Sequence, residues 1–276
     1  MRRIVFTSAV VFLALSAVTA LAQEPEPAVS QTIPAASRSQ SLCTGFVSEV
    51  QLPNDLYVME GADDDARSRV RLYIEGDSIF IGQRGAGNIA VGAEYSVIRP
   101  GNELFKTSHY QGQGGELRRM GRPYEDVALV RVTHVNEEGA VAKVTFSCEP
   151  ISVGDTLIPF QPRAIPEYAV NKPLDHFIPE DKSKQHGRVA GTQNNFGSFG
   201  QDTVVYVDIG ERQGILPGKR LRIYKSLPPV GISNKKWTPS ETVGEAVVLT
   251  VQAGSCTAMV VSSYREIYAG DLVEVE

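Results

Sequence analysis

The stretch that decides the fold is residues 127–157, VALVRVTHVNEEGAVAKVTFSCEPISVGDTL, because the chain contains it twice. Residues 243–273 read VGEAVVLTVQAGSCTAMVVSSYREIYAGDLV and align with it without a gap. Nine of the 31 aligned positions are identical, including Gly154-Asp155 and Gly270-Asp271 near the end of each stretch. Since an internal repeat determines the architecture in which every local motif lies, we expect two copies of one module.

Both stretches predict a β-hairpin. Apolar and polar residues alternate on either side of a turn, which is Asn136-Glu137-Glu138-Gly139 in the first copy and Gln252-Ala253-Gly254-Ser255 in the second. Alternation with a period of two is typical of a half-buried strand, and the β-branched and aromatic runs upstream also favour strands. The matched upstream runs are 78–81 with 204–207 and 95–98 with 221–224.

The whole pattern predicts an all-β protein with two tandem, small β-barrel-like modules. The opening strand of each copy is expected at a glycine-led segment, Gly45-Phe46-Val47 or Gly187-Arg188-Val189-Ala190. About six short strands and no convincing helix are expected per copy, since closing such a sheet removes the free edges that template aggregation. The modules cover 42–160 and 185–276.

The N-terminus predicts export. Arg2 and Arg3 precede an apolar run over residues 4–15 and then small residues up to Ala22, which is the order of a secretory signal peptide, here 1–22. The alternative is an uncleaved membrane anchor, although the apolar run is shorter than the ~20 residues that span a bilayer. We therefore expect a periplasmic or otherwise extracytoplasmic protein, with no membrane span once the signal peptide is cleaved.

Two segments outside the modules have a different composition. Residues 23–41 are rich in Pro, Ser, Ala and Gln and predict a flexible, disordered spacer. Residues 161–184 are rich in proline, which favours an extended, stiff linker that holds the modules apart or at a set angle.

The charge distribution excludes two classes of partner. The formal net charge is −5, and loss of Arg2 and Arg3 with the signal peptide makes it −7. No basic block is present in the sequence. Nucleic acid and anionic lipid headgroups attract proteins through clustered positive charge, so neither is expected as a partner.

Three cysteines in an exported chain predict one disulfide and one leftover thiol. When the copies are overlaid, Cys43 and Cys148 fall opposite Gln185 and Tyr264, so both cysteines are absent from the second copy. That joint absence predicts a Cys43–Cys148 disulfide, with Cys256 free and buried. Three reduced cysteines remain the alternative if the compartment is not oxidising.

The residues that could carry chemistry do not form a recognisable constellation. The four histidines, His109, His134, His176 and His186, lack HxxxH or HExxH spacing, so no metal site is expected. Gly85-Ala86-Gly87 and Gly112-Gln113-Gly114-Gly115 are interpreted as turns rather than phosphate loops. Asp63-Asp64-Asp65 lacks the spacing of a calcium loop and is interpreted as a solvated acidic turn.

No nucleophile of a known type is found either. Cys148 lacks the glycine of a cysteine transpeptidase turn, and the sequence has no G-x-S-x-G elbow. The chain is therefore expected to be non-enzymatic and to need no cofactor. Trp237, in the polar loop 234–239, is the one aromatic residue that we single out as a candidate contact residue.

The repeat carries a resemblance to a known family. Paired strands, a Gly-Ile-x-x-Gly turn and a hairpin that ends Ser-x-x-x-Ile-x-x-Gly-Asp, as in 204–224 with 263–271, resemble the C-terminal β module of the flagellar T-ring/H-ring assembly protein. The pattern is equally similar to modules that follow LysM domains in bacterial envelope proteins. The resemblance implies a small β-barrel-like fold, a periplasmic or cell-surface setting and no catalytic residues. Residues 23–41 are too short and too Pro-rich for a LysM segment, so none is expected there.

These expectations support one leading hypothesis and two alternatives. The leading one is a non-catalytic exported protein of the cell envelope, whose tandem β modules mediate protein–protein or wall-associated assembly. Its recognition surfaces would be the variable insertions 100–126 and 226–242, since loops on a closed sheet can change without disturbing the core. The first alternative is a module that binds glycan, peptidoglycan or polysaccharide through Trp237. The second, a hydrolase, lacks a nucleophile–base pair in the sequence.

Overall fold

The computed structural model describes residues 32–59, 72–84, 89–101, 103–170, 176–232 and 235–276, and residues 31–276 form one compact unit. Strands dominate it, which confirms the all-β prediction. The strands are β1 (Thr32–Pro34), β2 (Phe46–Ser48), β3 (Leu56–Met59), β4 (Leu72–Tyr73), β5 (Ser78–Gln83), β6 (Glu94–Pro100), β7 (Arg122–Val135), β8 (Ala140–Ser147), β9 (Ile151–Ser152), β10 (Thr156–Pro159), β11 (Glu167–Ala169), β12 (His186–Thr192), β13 (Ser198–Phe199), β14 (Val204–Val207), β15 (Arg220–Ser226), β16 (Val230–Ile232), β17 (Lys235–Trp237), β18 (Ser240–Val251), β19 (Cys256–Ser263), β20 (Ile267–Tyr268) and β21 (Leu272–Val275). The helices are α1 (Arg38–Leu42), α2 (Glu103–Lys106) and α3 (Gln113–Met120), with a 3-10 turn at Glu211–Gln213.

The strands form two closed six-stranded barrels, as the repeat predicts. Barrel 1 runs β3-β5-β8-β7-β6-β10 and closes from β10 back to β3. Barrel 2 runs β12-β14-β19-β18-β15-β21 and closes from β21 to β12. All neighbouring strands in both rings are antiparallel, and the two rings follow the same connectivity. Even the register shifts coincide, since the shift at Val97/Ile98 has its counterpart at Ile223/Tyr224.

The opening strand of the first copy is not where the sequence overlay placed it. In barrel 2, Val189 N donates to Asp271 O at 2.9 Å and Val189 O accepts from Gly270 N at 2.8 Å. Val58 of β3 makes the same two bonds with Asp155 and Gly154, both at 2.9 Å. The counterpart of β12 is therefore β3, and Phe46–Ser48 is an additional strand that pairs with β7 outside the closed ring.

The shared Gly-Asp pair is explained by the turn that it builds. Gly154 and Gly270 have φ values of 92° and 101°, a region that favours glycine. The carboxylates that follow accept a hydrogen bond from the backbone N three residues back, at 2.8 Å in both copies. Each carboxylate also pairs with a cation on the adjacent strand, Arg99 in barrel 1 and Lys225 in barrel 2. The motif closes each barrel and is structural.

Each barrel is filled by its own apolar core. Inward positions alternate along the strands, as Ile79 and Ile81 do on β5 and Val205 and Val207 do on β14, and all four are fully buried. Side chains fill the interior of small barrels in this way. Alternation with a period of two therefore reports real burial in both copies.

The outer faces of the two barrels differ, and the cover on barrel 2 includes residues 32–36 of the predicted disordered spacer 23–41, whose residues 23–31 lie outside the described part of the chain. Barrel 2 carries outward apolar residues on β14, β18 and β19, and Ala35 and Ala36 are buried against them. β1 pairs with β11 beside this contact, so residues from Thr32 onward are folded onto the protein. The outward apolar residues are Val204, Val247, Leu249, Met259 and Val261. The aligned positions of barrel 1 are Ser78, Arg131, Thr133, Lys143 and Thr145. An apolar outer face requires a cover, whereas a polar one does not.

Helix α1 also lies within the predicted spacer, and its start has a local cause. Ser37 Oγ accepts from Gln40 N at 3.1 Å, and Gln40 Oε1 accepts from Ser37 N at 2.8 Å. This reciprocal pair is a capping box. The Ser37-x-x-Gln40 spacing that forms it lies in a segment whose composition predicts a flexible spacer.

In the predicted linker 161–184, residues 176–178 pack on barrel 2, and residues 171–175 lie outside the described residues. His176 O accepts from Thr242 N at 2.7 Å, beside the start of β18. Arg222, which is completely buried, donates to Ile178 O at 2.9 Å and pairs with Glu274 at 3.3 Å. Residues 176–178 thus occupy beside β18 the place that β2 occupies beside β7.

Candidate functional site

The two barrels meet through a small apolar core. Val47 of β2 and the insertion between β6 and β7 contribute one side, and barrel 2 contributes the other. The buried residues are Val47, Leu104, Leu117, Met120, Ala190 and Tyr206. This contact makes the barrels neighbours with a defined orientation.

Hydroxyl groups of barrel 2 satisfy carbonyl groups of the β2 segment. Tyr206 OH donates to Thr44 O at 3.1 Å, and Thr257 Oγ1 donates to Gly45 O at 3.3 Å. Ser255 Oγ donates to Val47 O at 2.7 Å. Unpaired buried carbonyl groups are costly, so these three bonds tie the extra strand of barrel 1 to barrel 2.

The first insertion, predicted as a recognition loop without helix, contains α2 and α3 and is part of this interface. Gln113 Nε2 donates to Ala190 O at 2.8 Å in a buried position. The His109 ring nitrogen Nε2 lies 3.0 Å from Asn195 O. Leu104, Leu117 and Met120 bury the apolar face of this insertion on barrel 2, so that face is not available to a partner. Recognition by the exposed side of residues 100–126 stays a prediction.

The polar half of this interface places one carboxylate of α3 beside the Arg188 guanidinium of barrel 2. Glu116 accepts from Tyr110 OH at 2.8 Å and lies 3.8 Å from Arg188 Nε. Burial raises the pKa of Glu116, and burial also raises the pKa of Asp208, whose Oδ1 accepts from Arg188 N. The Tyr110 hydroxyl has a raised pKa for the same first cause, burial. The Glu116–Arg188 contact joins the insertion to barrel 2.

A cleft of about 510 Å³ lies between the barrels and is lined by both of them. Phe46, Leu52 and Ile158 line one wall, and Leu249 and Val251 line the other. Clefts of this volume at domain interfaces are common ligand sites.

Neutral polar groups and one guanidinium complete the cleft. Gln161 and Gln252 carry side-chain amides at its lining, and Thr250 Oγ1 is buried without a hydrogen-bond partner among the described residues. Arg163 is held in place, since its guanidinium makes a bidentate pair with Asp126 at 2.6 and 2.7 Å. Asp126 in turn accepts from Gly45 N at 2.9 Å, which joins the linker, β7 and the β2 segment.

The predicted disulfide is present beside the hydrogen-bonded cluster of Arg163, Asp126 and Gly45. Cys43 and Cys148 are bonded with an S–S distance of 2.06 Å and a Cα–Cα distance of 5.5 Å. The pairing is correct although one argument for it used the wrong register, because Gln185 is not the structural counterpart of Cys43. Cys256 is free and buried, and burial raises the pKa of its thiol, which leaves it a poor nucleophile.

Trp237 is the last residue of β17, in a hairpin with β16 where it lies opposite Val230. This hairpin occupies the second insertion, 226–242. The side chain of Trp237 lies outside the described part of the chain, so its role as a contact residue stays a prediction.

The remaining candidates do not converge. Residues 112–115 open α3 rather than forming only a turn, while 85–87 and 63–65 lie outside the described residues. Among the described residues, no group of three or more His, Cys, Asp or Glu side chains could hold a metal ion.

Comparison with known proteins adds no assignment to this geometry. None of the described helices has the length and apolar character needed to cross a membrane. No protein-family model matches the chain, and no curated protein matches it.

Proposed function

We propose that this chain is a non-catalytic, exported protein of the cell envelope whose paired barrels hold a protein or wall partner in an assembly. The observation that carries the proposal is the interface between the barrels, where three hydroxyl groups seal the β2 segment. A fixed pair of barrels offers a partner a preorganised surface, and preorganisation reduces the ordering cost of binding.

The disulfide supports an oxidising location. Cys43–Cys148 joins residues that are 105 positions apart, and disulfides of this kind persist in exported proteins. The assignment to the periplasm or the cell surface belongs to this proposal.

A buried thiol and two carboxylates among the described residues have structural roles in this fold. The Cys256 thiol is enclosed in the core of barrel 2. Glu116 accepts a hydrogen bond from Tyr110 OH at the docking contact of α3, and Asp208 accepts one from Arg188 N within barrel 2. This use of the titratable groups supports a holding role rather than a catalytic one.

The β16–β17 hairpin is the first recognition element to test, because the other insertion is docked on barrel 2. A photo-crosslinking amino acid at position 237 of the full chain, illuminated in envelope extract, should trap a specific protein. Wild-type chain without the crosslinker, added in excess, should compete with that capture, whereas a chain in which 228–238 is replaced by a two-residue turn should not compete although the thermal melt of its barrels is kept. Competition by the shortened chain as strong as that of the wild type would contradict the role of the hairpin.

The inter-barrel cleft favours a second candidate, a wall-glycan ligand. Side-chain amides such as those of Gln161 and Gln252 can hydrogen-bond sugar hydroxyl groups. Sedimentation with purified peptidoglycan tests this candidate. Binding that is lost in Gln252→Ala or Trp237→Ala supports it, and the absence of sedimentation removes it.

A further inference from the structure

A second concave surface lies on the outside of barrel 1, between α1 and strands β7 and β8. It encloses about 520 Å³. Its apolar lining consists of the buried Val130 and of Leu42, Leu129, Phe146 and Phe160, and the last four are only partly buried. We call this surface the α1 groove. Four large apolar side chains left partly open on one side of a barrel mark a contact surface rather than a packed core.

Barrel 2 shows what covers the corresponding surface in the other copy. Arg131 and Thr145, which line the α1 groove, align with Val247 and Val261. Both valines belong to a buried cluster with Ala35 and Ala36, in the bend that follows β1, and Tyr168 of β11 packs against the same cluster. Because β11 pairs with β1, the same barrel face is covered by a two-stranded segment and the bend after it in one copy, and presents an open groove in the other.

The rim of the α1 groove adds a charge preference. Arg38 is exposed and makes no ion pair with the described residues. Arg131 is 59% exposed and shares its guanidinium with Glu94 at 2.5 Å. One cation thus remains uncompensated at the rim, so a partner with a carboxylate near its apolar side chains complements the groove.

We infer that the α1 groove binds an extended peptide segment of a partner protein, with apolar side chains on Leu129 and Phe146 and an acidic side chain at Arg38. This rests on the proposed assembly function and names the chemistry of its partner. Extended segments bind through pockets for alternate side chains, and the two phenylalanines and two leucines of the groove offer such pockets.

The test has two steps, both with the full chain. A photo-crosslinking amino acid at position 145, on the exposed rim, is illuminated in envelope extract, and the crosslinked peptide is identified by mass spectrometry. A synthetic peptide of that sequence is then titrated against the wild type, Arg38→Glu and Arg131→Glu. The matched control is Arg118→Glu, an exposed charge reversal on α3 away from the groove.

We expect a peptide that contains Asp or Glu among apolar residues. Its affinity should fall about tenfold in Arg38→Glu and should be unchanged in Arg118→Glu. Thermal melts of all three variants confirm that the barrels are intact, since these side chains are exposed.

Each other outcome overturns the inference. A crosslink to residues of this chain's own N-terminus, or to a second copy, assigns the groove to a different occupant. Equal loss of affinity in Arg38→Glu and Arg118→Glu shows that net charge, and not the groove, is recognised. Capture from position 237 without capture from position 145 rejects the groove and leaves the assembly function standing. Absence of capture from both positions rejects both proposals.

Discussion

The substitution Ser255→Ala tests whether barrel 2 seals the exposed side of β2. Ser255 Oγ donates to Val47 O at 2.7 Å, and the two residues are 2% and 1% exposed. Within the sheet, Val47 lies opposite Pro123, which has no N–H to donate. Alanine removes the hydroxyl donor and leaves the carbonyl where water does not reach it.

The expected loss follows from that geometry. A buried carbonyl without a partner costs about 1–3 kcal/mol, so Ser255→Ala should lower the free energy of unfolding by this amount. Tyr206→Phe removes the bond to Thr44 O in the same segment. The two losses act on neighbouring carbonyl groups, and the double variant should therefore deviate from simple additivity.

Urea unfolding measures the loss, and native-state hydrogen exchange at Leu117 reports whether the α3 contact opens with it. Ser263→Ala is the matched control, since Ser263 Oγ donates to Arg265 O at the same 2.7 Å but in an exposed position. The control should change stability by less than about 0.5 kcal/mol. Equal losses in Ser255→Ala and Ser263→Ala would refute the idea that barrel 2 seals β2.

Three further predictions concern the same architecture. Replacing Cys43 and Cys148 together by serine should lower the free energy of unfolding by about 4 kcal/mol, because the bond closes a long loop; calorimetry with and without reductant checks this, and no difference between the two conditions for the wild type would contradict it. Glu116→Gln should be at least as stable as the wild type at neutral pH, because burial raises the pKa of Glu116, so the folded state binds its proton more tightly and stability is lost as pH rises through the folded pKa. The difference should vanish at a pH below the pKa of the unfolded state, and denaturation series across pH measure it; a constant difference would refute the assignment. Arg222→Ala should cost about 1–3 kcal/mol because it removes the charge-assisted hydrogen bonds from the buried guanidinium to Ile178 O and Glu274, while Glu274 keeps Lys184 at 3.4 Å and the backbone N of Asp181 as partners; a urea midpoint equal to that of the wild type would show that Arg222 does not stabilise the fold.

The sequence predicted the elements that depend on local alternation. Strands β7, β8, β18 and β19 lie where the repeated stretch predicts them, because a period of two places one face in the core regardless of what lies outside. The opening strand β3 was missed because four residues, Leu56–Met59, carry too little periodicity to compete with a glycine-led segment. Its place follows only from the bonds that Val58 makes to the turn at Gly154 and Asp155.

The parts of the site that the sequence missed are contacts between the copies. No local pattern in residues 101–121 shows that Leu104 and Leu117 are buried against Ala190. The contact joins residues that are far apart in the chain, so it can be seen only once the barrels are placed together. The inter-barrel cleft and the α1 groove are likewise formed by residues far apart in the chain.

The sequence by itself determined that this protein consists of two barrels with one disulfide, because repetition, alternation and the joint absence of two cysteines are properties of the chain order. Only the tertiary structure decided that the barrels pack as one unit and that Ala35 and Ala36 cover an outer face of barrel 2. It also decided that barrel 1 keeps the α1 groove open. The physical reason is that alternation along a strand shows which side chains point outward but not what those side chains contact. Whether they meet water, a neighbouring barrel or another molecule depends on where the rest of the chain is placed.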